Sequence, residues 1–228
     1  MFTLALISMT VGHLYTLYPF IILKIFGRIC FPIFAYGIAE GFRRTRSFSN
    51  YALRLWYLSL ISQVPFYLYL EDTQLNICFT LLAGLFCIKI LNLNIPKIVR
   101  YISVAAIAAI AQFCAFDSGA YGVALVLMFY LLRERKLALF IVMNILDVAF
   151  IILTHYYVIT YHLSYAFPYQ IQVFAIFALP VIFYQEKFSF LKITRPLSDK
   201  KKRLIKLFKY MYYPLHLAIL YVIKVSFF

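Results

Sequence analysis

Charged side chains are scarce in this chain of 228 residues, 13% in all, and acidic ones scarcer still: eight Asp and Glu stand against 22 Lys and Arg. Apolar residues make up 65% and the mean hydropathy is +0.89. Soluble domains hold roughly 45–50% apolar residues, so a water-soluble globule is excluded and a polytopic membrane protein is expected. Only four cysteines occur, Cys30, Cys78, Cys87 and Cys114, with no CxxC pair and no histidine at ligand spacing. They read as reduced, buried thiols, neither a disulfide framework nor a metal site. HExxH, GxSxG and a Walker-type glycine loop are missing, which removes zincin, hydrolase-elbow and P-loop chemistry. No repeat, low-complexity tract or cleavable-signal pattern stands out, and the apolar start at Met1 leads straight into a span-length segment. The first helix is therefore expected to stay in the membrane.

What is present is apolar sequence in helix-length blocks. A helix needs ~20 apolar residues to cross the hydrocarbon, and on that ruler about nine segments appear. They run over 2 to 19, 22 to 41, 50 to 69, 75 to 92, 99 to 116, 119 to 132, 137 to 154, 168 to 184 and 204 to 224. The expected fold is an all-α polytopic bundle forming one integral membrane domain over 1–228. The sixth segment is short, so it is tilted, re-entrant or sheltered by its neighbours.

The net charge of +14 would suggest nucleic acid in a soluble protein, but here the basic residues fall in alternate gaps between apolar blocks. Those gaps hold Arg43, Arg44, Arg46 and Arg54, then Lys97 and Arg100, then Arg133, Arg135 and Lys136, then nine residues from Lys187 to Lys209. The positive-inside rule makes them cytoplasmic, with the N-terminus inside and the C-terminus outside. No nucleic-acid partner is needed. The run 185–203 is the longest cytoplasmic connection; it reads as an anchor to anionic membrane lipids or as a site for a phosphate-bearing ligand.

Few polar residues lie inside the blocks, and each is a candidate because charge and polarity are costly in hydrocarbon. His13 and His216 each fall about twelve residues into the first and last segments, which puts both near ~18 Å depth if the helices run the same way. Either one alone suits an interhelical contact, whereas two at matching depth suggest a shared polar site. Arg28, Ser62, Gln63, Asn76, Thr80, Tyr121, Gln170 and Gln172 fall in the outer half and are expected to line a cavity open to that side. Arg28 also suits snorkelling to headgroups, and Glu40 suits a local ion pair with Arg43 and Arg44 at i+3 and i+4. Asp147 is open to three roles: a relay group, a partner for a buried arginine, or a protonated acid. His155 and His162, set among tyrosines, belong to an aromatic belt.

Six stretches in order carry a resemblance: ALISMTVGH ending at His13, GRICFPIFAYGIAEGF from Gly27, LRLWYLSLISQVPF from Leu53, NICFTLLAGL from Asn76, YGVALVLMFYLLR from Tyr121 and YMYYPLHLAILY from Tyr210. Together they resemble the TraX family, membrane proteins named for the acetylase of F-type conjugative pilin. The family usually has an Asp-His pair in its first helix, and Gly12 stands here at the Asp position. The resemblance implies a multi-pass acetyltransferase of the bacterial inner membrane, with acetyl-CoA as co-substrate and no bound cofactor or metal. The acceptor would be a pilin N-terminus or another envelope component at the outer face.

On that reading His13 is the candidate base and His216 a second acid-base group, since acyl transfer needs proton removal from the acceptor and stabilisation of an oxyanion. Arg28, Tyr121 or Tyr213 would polarise the thioester carbonyl or hold the acceptor, which Gln63, Asn76, Thr80, Gln170 and Gln172 would surround. Glu40, Arg43, Arg44, Arg46 and Arg54 would form the CoA end. A small transporter or lipid flippase, or a structural assembly subunit, would use the same buried polar residues differently.

Overall fold

The computed structural model describes residues 2–160, 169–189 and 198–227. Ten α-helices occur among them: α1 Phe2–Leu14, α2 Ile21–Gly27, α3 Cys30–Arg44, α4 Phe48–Leu70, α5 Ile77–Leu91, α6 Lys97–Phe113, α7 Gly119–Leu131, α8 Lys136–Thr160, α9 Ala178–Ser189 and α10 Asp199–Phe227. A 3-10 stretch, Tyr169–Phe177, leads into α9, and β-pairing among the described residues is limited to one isolated bridge between Leu75 and Phe116. The all-helical expectation holds. The nine expected blocks reappear with two of them divided.

Proline explains both divisions. The block at 22 to 41 breaks at Arg28 and Ile29, because Pro32 lacks an N–H and its ring collides with the carbonyl four residues back, at Arg28; α3 therefore restarts at Cys30. The block at 168 to 184 begins as 3-10 helix, since Pro180 disfavours an α-helical carbonyl at Ile176 and fits only in the first turn of α9. Pro65 and Pro214 by contrast lie inside the long helices α4 and α10, which continue through them.

The core lies around α5 and α7, which pack on each other and on α3 and α6. Val123, Leu125, Val126 and Phe129 of α7 are fully buried, as are Leu85, Cys87 and Ile88 of α5. A short helix surrounded in this way does not need to span alone, so shelter by neighbours is the answer for the sixth block. Gly84 sets the α5–α7 spacing: a Cβ there would sit 2.7 Å from the Val126 Cβ, so only a hydrogen fits.

Among the described residues, two helices are long and apolar enough to cross a membrane by length and composition, Ile21–Arg44 taken across its joint and Lys136–Thr160. The second presents Leu137, Phe140, Ile141, Ile145, Val148 and Ile152 outward at helical spacing, all exposed. An apolar stripe of that length on the outer face suits hydrocarbon rather than water.

Candidate functional site

His13 lies in the last turn of α1 and His216 midway along α10, and the structure joins them: His13 Nδ1 and His216 Nε2 are 2.8 Å apart. Their rings are nearly parallel, 13° apart, and His216 is buried. The hydrogens can be assigned from the partners. His216 Nδ1 lies 3.0 Å from the Tyr212 carbonyl, which can only accept, so with both rings neutral the His216 hydrogen sits on Nδ1. His216 then accepts at Nε2, His13 donates from Nδ1, and the basic lone pair of the dyad is His13 Nε2. Tyr212 secures this geometry: its ring stacks on His216 at 5.4 Å, and its hydroxyl donates to Thr10 Oγ1 over 2.7 Å, because the Thr10 hydrogen goes to the Leu6 carbonyl.

The end of α1 is held just as firmly. Tyr69, fully buried on α4, donates its hydroxyl at 2.6 Å to the His13 carbonyl, which also accepts the Thr16 backbone N–H at 3.1 Å. The Tyr69 carbonyl in turn accepts from Lys224 at 3.2 Å, and Lys224 pairs with Glu71 at 2.7 Å. Toward α2, a Cβ at Gly12 would stand 2.7 Å from the Gly27 Cα. Gly12 is therefore a contact residue. An Asp side chain at this position would drive α1 and α2 apart instead of reaching His13. Ser8 Oγ donating to the Phe26 carbonyl at 2.5 Å closes the same contact.

Arg28 occupies the joint between α2 and α3, and its charge acts on Asp117, Tyr121 and Asp147. Tyr121 does not join the histidines by a hydrogen bond. Its one hydrogen goes to Asp147 Oδ1 at 2.7 Å, and its oxygen accepts from Gln172 Nε2 at 2.8 Å. Asp147 is thus the partner of a tyrosine, with Oδ2 unbonded among the described residues. Tyr213 does flank the dyad, its ring 5.6 Å from that of His216 and its oxygen at the Ile77 backbone. Asp117 lies in the turn between α6 and α7. Burial pushes its carboxyl above the ordinary range, against the Ser118 hydrogen bond and the charges of Arg28 and Lys24.

Among the residues expected to line an outer cavity, Gln63, Asn76 and Thr80 spend polar groups on backbone near the α4–α5 and α6–α7 turns. Gln63 donates to the Gln74 carbonyl and accepts from both nitrogens of Asn76; Asn76 also donates to the Ser59 carbonyl and caps α5 at Cys78. Thr80 donates to the Asp117 carbonyl. A chain reversal between two apolar helices exposes amides that need partners, and these side chains supply them. Gln172 is buried against Tyr121, and Gln170 is exposed.

At the far end of α3, ~15 Å beyond Cys30 at ~1.5 Å per residue, Glu40 is buried and bridges Arg43, Arg44 and Arg133, each at 3.1 Å. The local ion pair is present, and Arg133 adds to it from the turn after α7. Arg43 also donates to the Tyr130 carbonyl and lies 5.0 Å over the Tyr130 ring. Arg46 is exposed beyond this group, and Arg54 lies 5.9 Å over the Tyr51 ring.

All four cysteines are free thiols; Cys78 and Cys87 are buried and Cys30 half-buried, but Cys114 at the end of α6 is exposed, against expectation. Its neighbours face away from the bundle where the chain turns toward Asp117. His155 bonds to the Tyr169 hydroxyl, while His162 lies outside the described residues. So does the middle of the basic run 185–203, into which α9 and α10 extend from either side. Sequence reasoning passed over Tyr212, one turn before His216 and findable from that spacing; Tyr69, 56 residues from His13, carried no such signal. It also passed over Lys24, which lies close enough to act on His13.

No curated protein and no solved structure matches the chain. One family model does, described as TraX protein, and it covers residues 1–224: the chain belongs to the TraX family.

Proposed function

We propose that this protein is a multi-pass inner-membrane acetyltransferase that moves an acetyl group from cytosolic acetyl-CoA to an amine or hydroxyl at the outer face, on a pilin N-terminus or another envelope component. Family membership and the apolar helices support a membrane protein; the alternation of basic gaps supports an N-terminus inside and a C-terminus outside. The observation that carries the chemistry is the His13–His216 hydrogen bond with the tautomer set by the Tyr212 carbonyl.

In this reading His13 Nε2 takes the proton of the acceptor N–H or O–H as its heteroatom attacks the thioester carbonyl. The imidazolium keeps its Nδ1 hydrogen on His216 Nε2, which stabilises the charge as it develops. Collapse of the tetrahedral intermediate breaks the C–S bond, and the proton passes from His13 to the departing thiolate. The products are acetylated acceptor and CoA. Tyr213, whose ring flanks that of His216, is the group proposed for the oxyanion, whereas Tyr121 has committed its hydrogen to Asp147. The Glu40 cluster, ~15 Å along α3 from Cys30, would take the CoA phosphates through the guanidiniums not already spent, those of Arg44 and Arg133.

The test compares envelope proteins and glycans by mass spectrometry from cells carrying the wild-type chain, no chain, or His13→Ala. An acetyl mass present only with the wild type, at equal membrane levels of the variant, is expected. Acetylation unchanged by His13→Ala removes the dyad from the reaction.

A further inference from the structure

The group around Glu40 holds more than a helical ion pair. Two of its arginines follow Glu40 on α3, but Arg133 comes from the turn between α7 and α8 and bonds through Nε to the same Oε1 that Arg43 uses. Arg43 is fully engaged, with one terminal nitrogen on Glu40 and the other on the Tyr130 carbonyl. Arg44 and Arg133 are different. Arg44 uses only Nη2, and Arg133 uses only Nε, toward Glu40 and, at 3.6 Å, toward Glu134. Both terminal nitrogens of Arg133 and two nitrogens of Arg44 bond nothing among the described residues, and both side chains reach solvent, at 39% and 74% exposure.

Both heads rest 3.1 Å from one carboxylate, so an anion placed over them meets both at once. Three guanidiniums against one buried carboxylate leave positive charge, which the exposed Glu134 offsets only in part. Guanidinium forks prefer phosphoryl oxygens, to which they can donate in pairs. We propose that Arg44 and Arg133, positioned by Glu40, form a phosphoryl-binding site that ties α3 to the α7–α8 turn. The inference rests on the acetyl-CoA reading for its natural ligand, since CoA brings phosphoryl groups from water; an anionic lipid headgroup would bring the same chemistry from the bilayer. Arg46 and Arg54, which touch neither Glu40 nor Arg133, fall outside it.

The experiment titrates CoA into full-length protein in nanodiscs, once in zwitterionic phosphatidylcholine and once with phosphatidylglycerol added, and measures retained phosphatidylglycerol by lipid mass spectrometry. Variants are Arg133→Gln, Arg133→Lys, and Arg135→Gln, which removes an equal charge from an exposed neighbour without touching Glu40. Arg133→Gln should weaken CoA binding about tenfold in phosphatidylcholine, the loss of one charge-assisted contact. Arg133→Lys should recover part of it, and Arg135→Gln should change it less than about twofold. Equal losses for Arg133→Gln and Arg135→Gln would show a diffuse basic surface and overturn the site. No CoA binding by the wild type, with phosphatidylglycerol retention lost in Arg133→Gln, would sink the acetyl-CoA reading and leave a lipid-phosphate site. Indifference of both ligands to Arg133 overturns the proposal.

Discussion

At the residue scale the dyad separates two roles that an unassisted pair of histidines would share. The Tyr212 carbonyl fixes the hydrogen of His216, so His216 acts as an acceptor that orients His13, and His13 alone offers a lone pair to substrate. A side chain that can accept at this position should then replace His216 in part. His216→Gln is expected to keep the transfer rate within about tenfold of wild type, and His216→Ala to lose about a hundredfold, the lower range for acid-base assistance. Initial rates of CoA release decide it. A Gln variant as inactive as Ala would mean that His216 itself carries the proton. The meeting of these imidazoles was legible in the sequence, because helix rise converts position along a block into depth. Gln63, Asn76 and Thr80 were less legible: a polar side chain near a chain reversal looks the same whether it faces a cavity or caps an amide, and only the fold shows the Gln74 carbonyl and the α5 terminus that Gln63 and Asn76 meet.

At the element scale, block lengths and gaps were readable from apolar runs, and the breaks follow from Pro32 and Pro180. What could not be read was which faces meet. The contact of Gly12 with Gly27 joins the end of α1 to the end of α2, and nothing in either helix's own pattern pairs them. Because the backbones touch there, Gly12→Ala should cost about 1–3 kcal/mol by overpacking and should shift α1, carrying His13 off His216. Gly12→Asp, which restores the family's usual Asp-His pair, should be worse still in both respects. Thermal unfolding in detergent, read beside the transfer rate, tests this; an Asp variant that is both stable and faster would show that the α1–α2 contact is not what excludes the acid.

At the scale of the whole molecule the proposed transfer needs two charged ends on one route. Arg28, just before the start of α3, and Lys24 act on Asp117, and the Glu40 arginines stand at the other end of α3. Transfer across a membrane requires these ends to face opposite sides, with the Glu40 end in the cytoplasm in the proposed topology. Cys114 offers the check, since it is exposed one turn from Asp117 while Cys78 and Cys87 are buried. A membrane-impermeant maleimide should label Cys114 in intact spheroplasts, and Cys114→Ser should abolish that labelling. A cysteine placed at exposed Arg46 in the Cys114→Ser background should react only after permeabilisation. The reverse pattern would put the arginine cluster outside, away from cytosolic acetyl-CoA, and a donor site at Glu40 would then be untenable whatever the dyad does.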